Sequence, residues 1–240
     1  MILEISDIEI FRIFFDVVLE DTDTVELKCD SNNVKVSLLS SDHVSFYEVI
    51  YDNTFFDVYD IDGTEIISLF VDDLYKILKT ASKGDILTLS SNDTNVIAKF
   101  EHQDNVRVFE LVQAENFTDN PTPPSINATA LAKLEIDDLT QTLKDLDIIK
   151  TGSVELKCGE ELTMNTYNET AFDYMHRISC EIEGEGSAYY TTDYLKKISK
   201  FKKIDKMVEF KWGDTLPLQW KVSNNWVTVS GLIAPRIEEQ

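Results

Sequence analysis

The pentapeptide Val25-Glu26-Leu27-Lys28-Cys29 occurs a second time, letter for letter, as Val154–Cys158. It is the most visible part of a longer duplication. Before it, Ile8, Phe11, Phe15 and Val18 lie at helical spacing, and Ile136, Leu139, Leu143 and Leu146 repeat that stripe at the same intervals. After it, Asp193, Leu195, Lys197, Ile198 and Lys200 match Asp72, Leu74, Lys76, Ile77 and Lys79, and Met207 and Phe210 match Ile86 and Leu89. Three blocks repeated in one order, each keeping its helical or strand period, mark two copies of one helix–strands–helix–strands domain. The period is too long for a solenoid. Alternating or β-branched runs at 34–39, 44–50, 65–70, 86–90, 96–100 and 106–112 supply the strands of the first copy. The spacing predicts helices over 7–20, over 73–82 with Asp72 as N-cap, and over about 192–203.

Between the copies stands Asn120-Pro121-Thr122-Pro123-Pro124-Ser125, with three of the chain's five prolines. Proline fixes φ and drives the preceding residue toward extended geometry, so this run continues neither a helix nor a central strand. Taken alone it is a stiff extended tether or an ordinary surface loop; the repeat on either side favours the tether. The expected fold class is α+β. Its domains are 1–115 and 129–240, with a connector over 116–128, each domain packing two helices on antiparallel sheets.

A formal net charge of −22 and a pI near 4.4 argue, on average, against a chain that coats nucleic acid or anionic membrane. The distribution says otherwise. Lys76, Lys79 and Lys83 lie opposite the apolar stripe of the second helix, and Lys196, Lys197, Lys200, Lys202 and Lys203 crowd the fourth. One such helix is ordinarily a solvated face with lysines near its C-terminal dipole. Two repeat-equivalent ones on so acidic a chain point to a local face that meets phosphate. No base-reading motif accompanies them.

Little else suggests chemistry. His43, His102 and His176 are isolated, and neither phosphate-loop nor dinucleotide glycine pattern occurs. Asp60-Ile61-Asp62-Gly63 resembles part of a calcium loop, but position 1 would be Val58 and position 12 Leu69, so a β-turn is the better reading. Cys29, Cys158 and Cys180 have no C-x-x-C spacing, which suits a reducing compartment. Glu4, Asp7, Glu9, Arg12 and Asp16 interrupt the apolar opening residues, leaving neither a leader nor a membrane span. The expectation is a soluble intracellular protein, not an enzyme, without cofactor or metal and with no membrane partner.

The tail Leu232-Ile233-Ala234-Pro235-Arg236-Ile237-Glu238, with Ser41-Asp42-His43-Val44 and Thr215-Leu216-Pro217, resembles the DNA polymerase sliding clamps of the proliferating cell nuclear antigen family, in its archaeal form. The resemblance implies the DNA-clamp fold and a ring-forming subunit, a homotrimer closed head-to-tail around duplex DNA. It implies a processivity factor for DNA replication and repair that tethers DNA polymerase, clamp loader, flap nuclease and ligase. Arg12, Lys76, Lys79, Lys83, Lys144, Lys196, Lys197, Lys200 and Lys203 would face DNA. Arg107, Phe109, Leu111, Tyr174, Arg177, Ile178 and Cys180 would form the subunit interface, with the two arginines in charge pairs across it. His43, Val44, Ile126, Pro217, Ala234, Pro235, Arg236 and Ile237 would form a pocket for a partner peptide carrying a glutamine, an aliphatic residue and two aromatics. Backbone past Pro235 would stay open for that peptide to add as a strand. Localisation would be cytoplasmic, with the nucleoid, in an archaeon and nuclear in a eukaryote. Glu9 and Asp16 on the first helix, and Asp137, Asp138 and Asp145 on the third, depart from the basic inner helices of the family and leave the DNA hold to the second and fourth. Two alternatives stand beside this: a clamp-like subunit of a heterotrimeric ring, and an acidic two-domain interaction protein with no DNA role.

Overall fold

The computed structural model describes residues 1–92, 94–115, 122–166 and 173–236. The chain forms two compact units. Unit 1 comprises Met1–His43, Tyr47–Thr122 and Asn224–Val229; unit 2 comprises Val44–Phe46, Pro123–Ser223 and Ser230–Gln240. The passage between them falls at Thr122–Pro123, within the proline run.

Unit 1 opens with β1 (Ile2–Ile5) and α1 (Ile8–Val18), whose entry is capped by Asp7, its carboxylate accepting from the Ile10 N–H at 3.2 Å. β2 (Thr24–Cys29), β3 (Asn33–Leu39), β4 (Ser45–Asp52), β5 (Val58–Asp60) and β6 (Glu65–Phe70) follow. Gly63 turns the chain between the last two at φ +74, in the Asp-Ile-Asp-Gly segment read as a turn. Then come α2 (Val71–Leu78), β7 (Ile86–Ser91), β8 (Asn95–His102) and β9 (Asn105–Val112). Unit 2 repeats the series with β10 (Ala130–Glu135), α3 (Ile136–Ile149), β11 (Ser153–Cys158), β12 (Leu162–Thr166), β13 (Tyr174–Ile178), β14 (Glu181–Gly184), β15 (Gly186–Thr191), α4 (Thr192–Ser199), β16 (Met207–Trp212), β17 (Leu218–Ser223) and β18 (Val227–Ile233).

Strand order repeats as well. In unit 1 the sheets run β5-β1-β7-β8-β9 and β4-β3-β2-β6; their counterparts run β14-β10-β16-β17-β18 and β13-β12-β11-β15. The registered pairs are antiparallel. Ser45–Phe46 of β4 belong to unit 2 and Val227–Val229 of β18 to unit 1. In unit 1 the Asp52 N–H donates to Trp226 O, and in unit 2 the Ala234 N–H donates to Val44 O, both at 2.8 Å.

The apolar stripes settle the cores. Ile8, Phe11, Phe15 and Val18 are buried, as are Ile136, Leu139, Leu143 and Leu146. In unit 1 α1 packs beside α2, and Phe11 meets Phe15 and Tyr51 with ring centroids 5.2 and 5.1 Å apart. The buried Tyr51 hydroxyl donates to Phe11 O at 2.9 Å. In unit 2 α3 packs beside α4, and Phe201 stacks on Trp220 at 5.5 Å.

The expectations for three helices need correction. α2 begins at Val71 with Phe70 at its N-cap and no side-chain capping bond. Asp72 sits inside the first turn and pairs with Lys76 rather than closing the helix end. The helix also stops at Leu78, so Lys79 is its C-cap and Lys83 lies in a later turn. α4 stops at Ser199, and Lys200–Lys203 form a 3₁₀ turn that drops the buried Phe201 into the core. α1 spans Ile8–Val18, shorter at each end than predicted.

Candidate nucleic-acid interface and strand edges

The basic residues on the helices are extensively compensated by neighbours. Lys76 is held by Asp72 one turn back, which raises its pKa through hydrogen bonding and then charge. Lys196 reaches Asp147 on α3 at 2.5 Å and Asp193 at 2.9 Å, and both carboxylates raise its pKa. Lys202 binds Asp137 at 2.5 Å. Lys79 and Lys197 each lie over a tyrosine of their own helix, at 5.3 Å from the Tyr75 ring and 5.5 Å from the Tyr194 ring. The acids of α1 and α3 are therefore used locally: Asp16 accepts from the Tyr75 hydroxyl, and Asp137 and Asp147 take lysines. Lys83, Lys144, Lys200 and Lys203 are exposed, and Arg12 is half-buried on α1. A cleft of about 430 Å³ in unit 1 brings Arg12 and Lys83 to one wall system with Asp7, Glu9 and Asp85. Such a surface offers phosphate a set of weak, mobile cations interleaved with carboxylates.

The interface candidates lie on two end strands. β9 ends one sheet of unit 1 and β13 ends one sheet of unit 2. Along β9, Arg107, Phe109 and Leu111 turn inward, whereas Val106, Val108 and Val112 are 53%, 60% and 70% exposed. On β13, Met175 and Arg177 are exposed, and Tyr174 and His176 turn toward α3, meeting Asp145 at 3.0 Å and Thr142 at 2.7 Å. Ile178 is buried and Cys180 half-buried beyond the strand end. The two arginines are engaged within their own units. Arg107 binds the buried Asp85 and Thr80 O and lies over Phe100; Arg177 binds Glu161 at 2.9 Å.

At the tail, Val44 and Ala234 are joined by the backbone bond already described, while Ile126, Pro217 and Pro235 are half-buried and His43 is exposed at φ 61. Arg236 corrects one expectation: its N–H donates to Tyr189 O at 2.7 Å, so that backbone group is taken up by β15 rather than left open. Ile237 lies outside the described residues.

The family defined as the proliferating cell nuclear antigen N-terminal domain matches residues 2–118. Similarity extends further: a DNA polymerase sliding clamp from Methanobrevibacter smithii is 27% identical across 98% of this chain and 97% of its own length. A second, from Methanothermobacter thermautotrophicus, is 25% identical across 99% and 98%. The first 118 residues thus match the proliferating cell nuclear antigen N-terminal domain, and the whole chain is similar to DNA polymerase sliding clamps. Solved structures share the fold, including a PCNA2–PCNA3 complex from Sulfolobus tokodaii (TM-score 0.89, 21% identity, 99% of this chain and 100% of that one). The PCNA of Thermococcus kodakaraensis superposes equally well (TM-score 0.89, 18% identity, 98% and 99%).

Sequence reading missed the outward side of β9. Its outward residues Val106 and Val108 and its inward residues Phe109 and Leu111 are all apolar, so alternation could not say which side is covered. Lys202 was passed over as a DNA-facing candidate, and its bond to Asp137 links the α4 end to α3. Among the described residues no group of His, Cys, Asp and Glu could hold a metal ion, and no helix is long and apolar enough to cross a membrane.

Proposed function

We propose that the chain is a sliding-clamp subunit, of which three copies close head-to-tail around duplex DNA and hold replication and repair enzymes on it. The observation that carries this reading is the placement of β9 and β13 at sheet ends. β9 ends a sheet of unit 1 and β13 ends a sheet of unit 2, so each copy can offer one edge to the copy before it and the other to the copy after it. A head-to-tail joint repeated until the rotation closes leaves neither edge open to aggregation. The names of the relatives, DNA polymerase sliding clamp, support the same assignment.

In this reading 1–115 and 129–240 are the two clamp domains and 116–128 the connector. The cations of α2, α4 and the turns that follow them meet phosphate non-specifically, and an acidic exterior repels it, which permits sliding without sequence arrest. Val44, Ile126, Pro217, Ala234 and Pro235 receive a short partner peptide from polymerase, flap nuclease or ligase, and a clamp loader opens the ring. The protein acts by topology rather than by catalysis, in the compartment that holds the chromosome. Light scattering on the pure chain, joined to polymerase processivity on primed circular DNA, tests this. The expected result is a mass of three copies and longer products. A single-copy mass at every micromolar concentration, with no effect on product length, overturns it.

A further inference from the structure

The acids of α3 are what a helix facing DNA does not require. Asp137 and Asp138 stand in its first turn, and Asp145 and Asp147 toward its end. The helix dipole favours a carboxylate in the first turn and disfavours one near the C-terminus. Helix stability therefore accounts for Asp137 but not for Asp147. Asp145 is engaged elsewhere, accepting from the Tyr174 hydroxyl at 3.0 Å and from the Gln141 side chain at 2.9 Å. Asp137 and Asp147 are turned instead to lysines of the neighbouring helix and the turn that follows it.

α3 and α4 pack side by side within unit 2. At the start of α3, the Lys202 ammonium donates to both oxygens of Asp137, at 2.5 Å to Oδ1 and 2.7 Å to Oδ2. Toward its end, Lys196 reaches Asp147 at 2.5 Å and Asp193 of its own helix at 2.9 Å. The side chains of these pairs are 35% to 79% exposed. Ion pairs so open to water contribute little to folding. They hold the lysines without committing them, because a second anion can take either lysine with little desolvation.

The ionic balance of binding follows from these pairs. An unpaired lysine that meets a phosphate releases a condensed counterion, and log K then falls with log salt by about 0.9 for each such contact. A lysine that leaves a carboxylate for a phosphate exposes that carboxylate, which attracts a cation from solution in its turn. The exchange gains less affinity, and releases fewer ions in net, than a count of lysines would suggest.

Resting on the clamp reading above, we infer that Asp137 and Asp147 compete with the DNA backbone for Lys202 and Lys196, and so set how lightly unit 2 holds the duplex. Fluorescence anisotropy of the full chain with a fluorescein-labelled linear duplex, between about 0.05 and 0.2 M NaCl, tests this. Asp137→Asn with Asp147→Asn should bind at least about threefold more tightly than wild type at the lower salt and steepen the salt slope by about 1. Its unfolding midpoint should stay close to that of wild type. Glu101→Gln with Glu209→Gln removes the same number of charges and releases Lys99 and Lys211, but on the strands β8 and β16. That variant should show much less of either effect. Adding Lys202→Gln to the helix variant should remove most of the gain, whereas Lys202→Gln alone should cost little. Equal binding by wild type and the helix variant, an equal gain in the strand variant, or a gain that survives Lys202→Gln overturns the inference and leaves the clamp reading standing. Binding by none of these proteins at the lower salt removes the DNA role, and the inference with it.

Discussion

At the scale of single residues, burial decides which polar groups matter. The Tyr51 hydroxyl is fully enclosed and has Phe11 O as acceptor, so Tyr51→Phe removes a bond whose carbonyl keeps its helical partner. We expect a loss of about 1 kcal/mol, read as a lower urea midpoint at unchanged slope. Cys29 makes the pH case. Burial first, and Glu65 next, push its thiol from 9.0 up to about 12, with the N-terminal ammonium pulling the other way. Between those values the unfolded chain sheds a proton that the folded one keeps. This contribution to stability is complete below pH 9 and declines as pH rises toward 12. Denaturation followed from pH 8 to 11 should show wild type losing stability faster than Cys29→Ala, and Cys29 should resist alkylation at pH 8 until the unit unfolds.

At the scale of elements, β18 shows how closely a strand can be set. A Cβ on Gly231 would come 2.4 Å from Phe46 O and 2.7 Å from the Trp220 ring, and neither a backbone carbonyl nor a buried indole yields easily. Gly231→Ala should cost about 1–3 kcal/mol, measurable as a fall in the thermal midpoint, although the change is a single methyl group. The helices make the opposite case. Their exposed lysines contribute little to stability, so Lys79→Glu with Lys200→Glu should leave the unfolding midpoint within about 0.5 kcal/mol of wild type. The same double variant should lower polymerase stimulation on circular DNA, and more so as salt rises; equal stimulation at moderate salt would remove these residues from the DNA face.

For the molecule as a whole, duplication is the organising fact. β9 ends a sheet in unit 1 and β13 ends a sheet in unit 2. The tail belongs to this scale because its function depends on a partner. Ala234 is half-buried, with its N–H committed to Val44 O. A carboxylate there would be desolvated by an arriving peptide, so Ala234→Asp should weaken binding of a fluorescent partner peptide by at least about thirtyfold. Equal affinity would move the peptide site elsewhere.

Much of this protein was legible without coordinates. The two helix stripes, the repeated Val-Glu-Leu-Lys-Cys strand and the order of elements follow from periodicity, because apolar spacing and covalent order are local properties. The lysine clusters were legible for the same reason. What periodicity could not carry was partnership. Arg107 and Arg177 looked available for a seam, yet Asp85 lies far enough along the chain, on the α2–β7 turn, that only folding brings it to Arg107. Lys196 and Lys202 looked like free cations until α3 brought Asp147 and Asp137 within reach. Which side of β9 is covered was undecidable from a strand apolar on both sides. These are contacts between residues distant in sequence, and only tertiary structure decides them, because the energy of a charge or an apolar side chain depends on what the fold places next to it.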